Sequence, residues 1–307
     1  MLRWIERRVR AAYERLLRRE IEGAPAHVAV IQDGNRRYAS QQGGEAHDGH
    51  RAGAKTTERV LNWCEDLGVE ELTLYAFSTE NFDRPDHERE ALFDLLEEKL
   101  YEFADADRVH EGEVCIRAIG EVEMLPERVR DAVEYAHEQT ADYEHFTLNI
   151  ALAYGGRNEL LGAARDVAKA VEDGDLDTED IDVAEIERRI YDSPLRDVDL
   201  IIRTGGDERT SNFLPWHANG NEAAVFFCTP YWPEFSKVDF LRGIRTYESR
   251  EESWRQARVK RAVALVKAFG GVELDEARAV IDKFRDAVPE GTQVEELEME
   301  NEGKTTE

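Results

Sequence analysis

Six short runs of apolar, β-branched and aromatic residues recur along the chain: HVAVI (27–31), LTLYAF (72–77), VCIRAI (114–119), FTLNIAL (146–152), DLIIR (199–203) and AAVFF (223–227). Most are apolar nearly throughout rather than alternating, which is the pattern of strands buried on both faces, as in parallel sheets. Between them the spacing becomes helical. Residues 51–67 carry Ala54, Val60, Leu61, Cys64 and Leu67, and 88–107 carry the stripe Leu92, Leu95, Leu96, Leu100 and Phe103. Similar spacing runs over 126–140 and 157–172. Strand alternating with helix predicts right-handed βαβ units. The fold class that follows is α/β, an open, mostly parallel six-stranded sheet with helices on both faces.

The ends read differently. Residues 1–23 form an amphipathic helix with Ile5, Val9, Leu16 and Leu17 on one side. Seven arginines against four glutamates give it +3, which leaves −30 of the total −27 on the rest of the chain. A basic amphipathic helix lies on an anionic membrane surface or docks on its own domain, and the pattern leaves both open. Residues 24–250 hold the sheet pattern, and 251–286 read as one or two terminal helices. Residues 287–307 are acidic and poor in apolar positions, the composition of a disordered tail.

Composition narrows the function classes. With 41% apolar residues in 307 the chain can bury a sizeable core. No apolar run approaches a membrane span. The start lacks the apolar stretch of a secretory signal, so the expected location is the cytoplasm, or the inner face of the membrane if the first helix touches lipid. Cys64, Cys115 and Cys228 fit no zinc or redox spacing and read as buried free thiols. Of the 40 basic residues only eight are lysine. An acidic, lysine-poor chain is the composition of an extreme halophile's cytosol, where abundant salt screens self-repulsion. A nucleic-acid ligand is excluded, because phosphate backbones require a basic footprint.

The candidate chemistry is positional. Polar or glycine-rich text follows nearly every apolar run: QDGNRR, STENFDR, AYGGRNE, TGGDERTSN and CTPYW. In a wound parallel sheet these loops leave the carboxyl ends of the strands and gather on the edge where ligands bind. Each suits diphosphate. Gly34 lets backbone approach a ligand closely, and the N–H groups of the helix that follows are phosphate donors. Arg36, Arg37, Arg84, Arg203 and Arg209 are fork-like donors, and Ser78, Thr79 and Ser211 add hydroxyls. Asp33 and Glu222 are the few hard oxygen ligands that Mg²⁺ wants, with water and phosphate completing its shell. The chain has no GxxxxGK[ST], no GxGxxG after the first strand and no DDxxD pair, which argues against P-loop NTPases, dinucleotide folds and trans-type prenyl synthases.

The segments HVAVIQDGNRRYA, GHRAGAKT, LTLYAFSTENFDRP, LNIALAYGGRNE and DLIIRTGGDERTSNFLPW, with NEAAVFF and WP after them, resemble the cis-prenyltransferases, above all the undecaprenyl (polycis-polyprenyl) diphosphate synthases. The resemblance covers roughly residues 24–250 in the family's order and spacing. It implies a homodimer with a hydrophobic tunnel below a diphosphate site. The implied reaction condenses isopentenyl diphosphate onto an allylic prenyl diphosphate, with each new double bond cis. By position it implies that Asp33 holds Mg²⁺ and assists loss of the allylic diphosphate. Gly34, Asn35, Arg36, Arg37 and Tyr38 cradle that group with His50 nearby, and Ser78, Thr79, Glu80, Phe82 and Arg84 shape the same pocket. Asn81 matches the position given the proton-accepting role, although an amide is a poor base and orients a diphosphate or water more easily. Arg203, Arg209, Thr210 and Ser211 bind isopentenyl diphosphate, and Glu222 is a second metal ligand.

Two departures stand out. DGNRRY replaces the bacterial DGNGRW, and EAHDGH has Ala46 where bacterial members carry an arginine; Arg36 is the candidate to compensate. Glu208 stands where bacterial members have a histidine. The variant looks like the archaeal and eukaryotic branch, and archaeal lipids favour a geranylgeranyl over a farnesyl primer. The product would be a glycosyl carrier lipid. The competing readings are a non-catalytic partner subunit of the same fold, which would lack Asp33 and the first phosphate loop, and a phosphosugar- or nucleotide-binding enzyme, which would need no apolar tunnel.

Overall fold

All six apolar runs are strands, with ends within two residues of the pattern. The computed structural model describes residues 2–190, 196–218 and 223–268. In chain order these form α1 (Leu2–Glu20), β1 (His27–Ile31), α2 (Asn35–Gln41), α3 (Ala46–Leu67), β2 (Glu71–Tyr75), α4 (Asp86–Ala104), α5 (Asp107–Glu111), β3 (Val114–Ile119), α6 (Glu127–Thr140) and β4 (Phe146–Ala151). There follow α7 (Gly156–Asp173), α8 (Val183–Ile190), β5 (Leu200–Arg203), β6 (Ala224–Phe227) and α9 (Lys237–Ala268). The chain divides into two compact units, Met1–Tyr247 and Glu248–Glu307. Of the second, residues 248–268 are described and are helical. The rest of the expected terminal helices, 269–286, and the acidic tail, 287–307, lie outside the described residues.

The sheet is parallel throughout, in the order β3-β4-β2-β1-β5-β6. The chain extends to one side of β1 through β2, β4 and β3, and then returns to its other side with β5 and β6. That reversal makes the β1/β5 boundary the switch point, where ligands bind in wound sheets. One face packs Val28, Val30, Leu72, Leu74, Leu148, Ile150, Leu200 and Ile202 against α1, α3, α4, α6 and α9. The other carries Ala29, Ile31, Ala151 and Ile201 under Tyr154, Phe213 and Leu214. Gly156 of α7 meets Pro215 there, and Glu187 of α8 accepts a hydrogen bond from Trp216 Nε1 at 3.3 Å.

Local chemistry sets the helix ends. Glu45 and Asp48 form a capping box at the start of α3, and Gly68 (φ 78°) ends it in the left-handed conformation. The stripe on 88–107 breaks at Ala104 into α4 and α5. In α1 the structure corrects the expected face: Leu17 is buried in the core with Ile21, whereas Leu16 is 52% exposed. Adjacent residues lie about 100° apart on a helix, so where the apolar contact is narrow one of the pair is buried and the other faces outward. Cys64, Cys115 and Cys228 are buried and free.

A polar chain crosses the sheet interior. Arg196 C=O accepts from His27 Nδ1 at 2.7 Å, so His27 Nε2 is the acceptor of the Thr73 hydroxyl, also at 2.7 Å. Asn149 Nδ2 donates to Thr73 Oγ1 at 3.1 Å and to Glu71 Oε1 at 2.6 Å. The chain needs neutral imidazole, and burial pushes the His27 pKa down to about 4. The unfolded chain protonates His27 near pH 6.5, so its contribution to stability is fully present above that pH and is lost as pH falls towards about 4. The loss reaches about 3 kcal/mol. The melting temperature at constant molar KCl should therefore fall between pH 7 and 5, and His27→Asn should flatten that slope; an unchanged slope would refute the assignment.

Candidate functional site

The loops leaving β1, β2, β4, β5 and β6 are joined at one edge of the sheet. After Ile31 the chain turns at Gly34, whose φ is 99° and whose missing Cβ would stand 2.5 Å from Tyr231 Cδ1. Only glycine meets both conditions. Asn35, Arg36, Arg37 and Tyr38 are the first residues of α2. Small residues on α3 let that helix approach: a Cβ on Gly49 would lie 2.0 Å from the Asn35 carbonyl oxygen, and one on Gly53 2.4 Å from Asn35 Oδ1.

At the centre is Arg203, the last residue of β5, with a side chain only 4% exposed. Its Nη2 donates to Asp33 Oδ2 at 2.7 Å and Asp207 Oδ2 at 3.2 Å. Its Nη1 donates to the Arg209 carbonyl at 2.6 Å and Ser211 Oγ at 2.5 Å. Arg37 Nη2 donates to Asp33 Oδ1 at 3.0 Å and its guanidinium lies over the Tyr231 ring. Burial alone would raise the Asp33 pKa, but hydrogen bonds and charge from Arg203 and Arg37 outweigh it and hold the carboxyl below the ordinary aspartate range. The Asp33 carbonyl accepts from Thr204 Oγ1 at 2.7 Å and Trp232 N–H at 3.0 Å.

The loop after β5 is unusual in its backbone. Ser211, Asn212 and Leu214 have φ of 49°, 60° and 48°, a region that costs non-glycine residues energy. It is held by Leu214 N–H on the Tyr154 hydroxyl at 3.2 Å and by Phe213 stacked on Tyr75 at 4.5 Å. Thr210 accepts the Phe213 N–H, and Arg209 pairs with Asp207 at 3.0 Å. Glu208 is exposed.

In the loop after β2, Ser78 caps a turn over Thr79–Asp83. Asn81 Oδ1 accepts the Ser78 N–H at 3.1 Å, so its amide oxygen is engaged and its N–H groups remain as donors. Thr79 N–H donates to the Tyr154 carbonyl at 3.0 Å, and Glu80 is exposed. Phe82 packs in an aromatic cluster with Phe77 and Phe93. Arg84 is half-buried, and burial followed by the charge of Arg36 lowers its pKa. Burial, then Arg84 and Arg36, pushes His50 down to about 4, so its imidazole is neutral.

A cavity of about 160 Å³ opens under these groups. Gln32, Asn35, His50, Asn81 and Arg84 line its head, and Leu74, Leu92, Leu95, Leu96, Leu100, Phe103 and Ile150 line its lower part. Asn35 Oδ1, His50 Nε2 and Arg84 Nη1 are shielded from water and have no hydrogen-bond partner among the described residues. Such orphaned groups fit a polar ligand. A second cavity, about 440 Å³, lies beside Ala46 and is lined by His47, His50, Arg84 and His87. Arg36, the candidate to compensate for Ala46, pairs with Glu88 on its wall at 3.2 Å.

Among the described residues no three of His, Cys, Asp and Glu gather as a metal cage. Asp33 offers one hard oxygen site, which suits a Mg²⁺ whose other ligands are water and phosphate. Glu222 lies outside the described residues. Sequence reasoning missed Thr204, Asp207, Tyr231 and Trp232, which wall the Asp33 loop. All four lie in the polar clusters TGGDERTSN and CTPYW, which do not by themselves mark them as site residues.

Comparison with known proteins agrees with this geometry. A family model described as "Putative undecaprenyl diphosphate synthase" matches residues 31–255. The chain is 69% identical over 291 residues to a tritrans,polycis-undecaprenyl-diphosphate synthase (geranylgeranyl-diphosphate specific) of Halobacterium salinarum, covering 95% of this chain and 96% of that protein. A protein of the same name from Haloarcula marismortui is 66% identical over 290 residues, covering 94% and 95%. The crystal structure of lavandulyl diphosphate synthase from Lavandula x intermedia, in complex with dimethylallyl diphosphate, aligns with a TM-score of 0.67 at 32% identity, covering 73% of this chain and 95% of that one.

Gly53→Ala tests the contact between α2 and α3, since the added Cβ would meet Asn35 Oδ1 at 2.4 Å and Trp232 Cδ1 at 2.8 Å. Calorimetry should show a destabilisation of about 1–3 kcal/mol from overpacking. A neutral effect would mean that the helices are not held at this separation.

Proposed function

The chain belongs to the undecaprenyl diphosphate synthase family of prenyltransferases, and we propose on that footing that it condenses isopentenyl diphosphate in cis onto geranylgeranyl diphosphate to make a polyprenyl diphosphate of about undecaprenyl length. The observation that carries this reading is a polar, partly unsatisfied head of Asn35, His50 and Arg84 above an apolar cavity. A charged diphosphate and a hydrocarbon tail need those two environments side by side. Geranylgeranyl as primer is supported by the names of the two halobacterial relatives.

Residues 24–250 would be the catalytic domain. Ionising the allylic C–O bond builds charge on the diphosphate, and fixed donors aimed at that charge lower the barrier. Arg36, Arg37 and Arg84, with His50 and the start of α2, would receive the allylic diphosphate. Arg203, Arg209 and Ser211 would receive that of isopentenyl diphosphate. Mg²⁺ held through Asp33, with Glu222 as a second ligand, would neutralise part of the developing charge. Holding the two carbons together supplies much of the remaining acceleration. Asn81 has its oxygen engaged, so its role would be to orient a diphosphate that takes the departing proton. The apolar stripe of α4 would begin a tunnel for the growing chain.

We further infer a homodimer at the inner face of the membrane. No helix among the described residues is long and apolar enough to cross a bilayer. On α1, Leu17 is buried while Tyr13 and Leu16 are exposed beside Arg15, Arg18 and Arg19, an outward face suited to an anionic lipid surface.

Purified protein in molar KCl with Mg²⁺ and labelled isopentenyl diphosphate should give a ladder of products, with geranylgeranyl diphosphate the better primer. Asp33→Ala should lower turnover by a factor on the order of 10³ or more while leaving the melting temperature near wild type. A folded protein silent with both farnesyl and geranylgeranyl primers would overturn the reading.

A further inference from the structure

The lower part of the apolar cavity has one charged side chain on its wall, Lys99 of α4, among Leu96, Leu100, Phe103 and Ile150. Its ammonium reaches across the seam between α3 and α4 to Glu58 Oε1 at 3.9 Å, and pairs with Glu102 on its own helix. The Lys99 side chain is 21% exposed. The stem follows the cavity and the head reaches the rim, the usual compromise of a long cationic side chain. Lys99 lies 13 residues into α4, about 20 Å along the helix from its start at 1.5 Å per residue. On the same seam Arg51 of α3 pairs with Glu98 at 3.6 Å.

The cavity of about 160 Å³ is smaller than the roughly 300 Å³ at which ordinary small-molecule sites begin. A hydrocarbon that grows unit by unit fills such a space early, and parting α3 from α4, which wall it together with β2 and β4, would give it more. The seam is bridged on its outer side by ion pairs, and Lys99 belongs both to that bridge and to the cavity wall. An apolar chain end driven past it must strip water from the ammonium and separate it from Glu58. Both are unfavourable, because a charge beside hydrocarbon is poorly solvated and only Glu102 of its own helix would then pair with it.

We propose that the Lys99–Glu58 pair sets the length at which elongation ends, which makes Lys99 a specificity-determining residue that touches neither diphosphate. This rests on the polyprenyl synthase reading above. Growth past the pair competes with release of the product, and the stronger the pair, the shorter the product at which release wins.

The test is the product ladder of wild type, Lys99→Leu, Lys99→Arg and Glu58→Gln, resolved by mass spectrometry in molar KCl, with melting temperatures recorded in parallel. Lys99→Leu and Glu58→Gln should each move the dominant product upward by at least one isoprene unit, whereas Lys99→Arg, which keeps the charge, should keep the wild-type length. A merely structural role would alter melting and total turnover but leave the length unchanged. If Lys99→Leu fails to fold, the half-buried Glu58 at the rim decides through Glu58→Gln alone. A wild-type ladder with unchanged lengths in the folded variants overturns this inference only. The absence of any wild-type ladder overturns the synthase reading and this inference with it.

Discussion

Arg203 cannot shed its charge and is almost fully enclosed, so the fold must bring counter-charge to it. The parallel register sets Arg203 beside Ile31, the last residue of β1. From there the chain needs only two more residues to present Asp33, whose carboxylate lies 2.7 Å from the guanidinium. One contact thus links the two strands that flank the switch point and fixes where the ligand edge is. Asp207, Ser211 and the Arg209 carbonyl take further guanidinium protons. The strained loop after β5 is therefore folded around the same group. With Asp33 removed, Asp207 still faces the guanidinium, and with Arg203 removed, Arg37 still faces the carboxylate, so neither charge is left without a partner.

The sheet carries a second polar centre with the opposite character. The chain from His27 through Thr73 to Asn149 and Glu71 is enclosed, and burial raises the Glu71 carboxyl above its ordinary range despite the hydrogen bond from Asn149. It spans β1, β2 and β4, where a register slip of one residue would turn every side chain to the wrong face. Connected buried polar groups penalise such slips, because each displaced partner leaves another unsatisfied. The charged centre is partly open to solvent and addresses a ligand, while the closed centre addresses alignment.

The surface follows a different logic. Arg128 on α6 is shared by Glu90, Asp94 and Glu97 of α4, one cation among three acids. Exposed pairs of this kind contribute about 0–1 kcal/mol each and weaken in salt. Stability therefore rests on the apolar layer between the sheet and α1, α3, α4, α6 and α9. The −27 charge is tolerable where salt screens carboxylate repulsion, which matches the halobacterial relatives.

Local sequence determined the six strands, the main helices and the edge on which the polar loops meet. Unbroken apolar runs have few stable alternatives to buried parallel strands, and every parallel strand sends its exit loop to the same side. The resemblance assigned Asp33 to a metal and the allylic diphosphate and Arg203 to isopentenyl diphosphate, without putting the two in contact. What tertiary structure alone decided are relations between distant segments. β4 lies between β3 and β2, Tyr231 closes over Gly34, and Asn81 has its oxygen already engaged. Leu17 rather than Leu16 is buried, and the stem of Lys99 lines an apolar cavity. Periodicity reports which side of an element is apolar, but the partner across the gap depends on packing and register, which no single segment encodes.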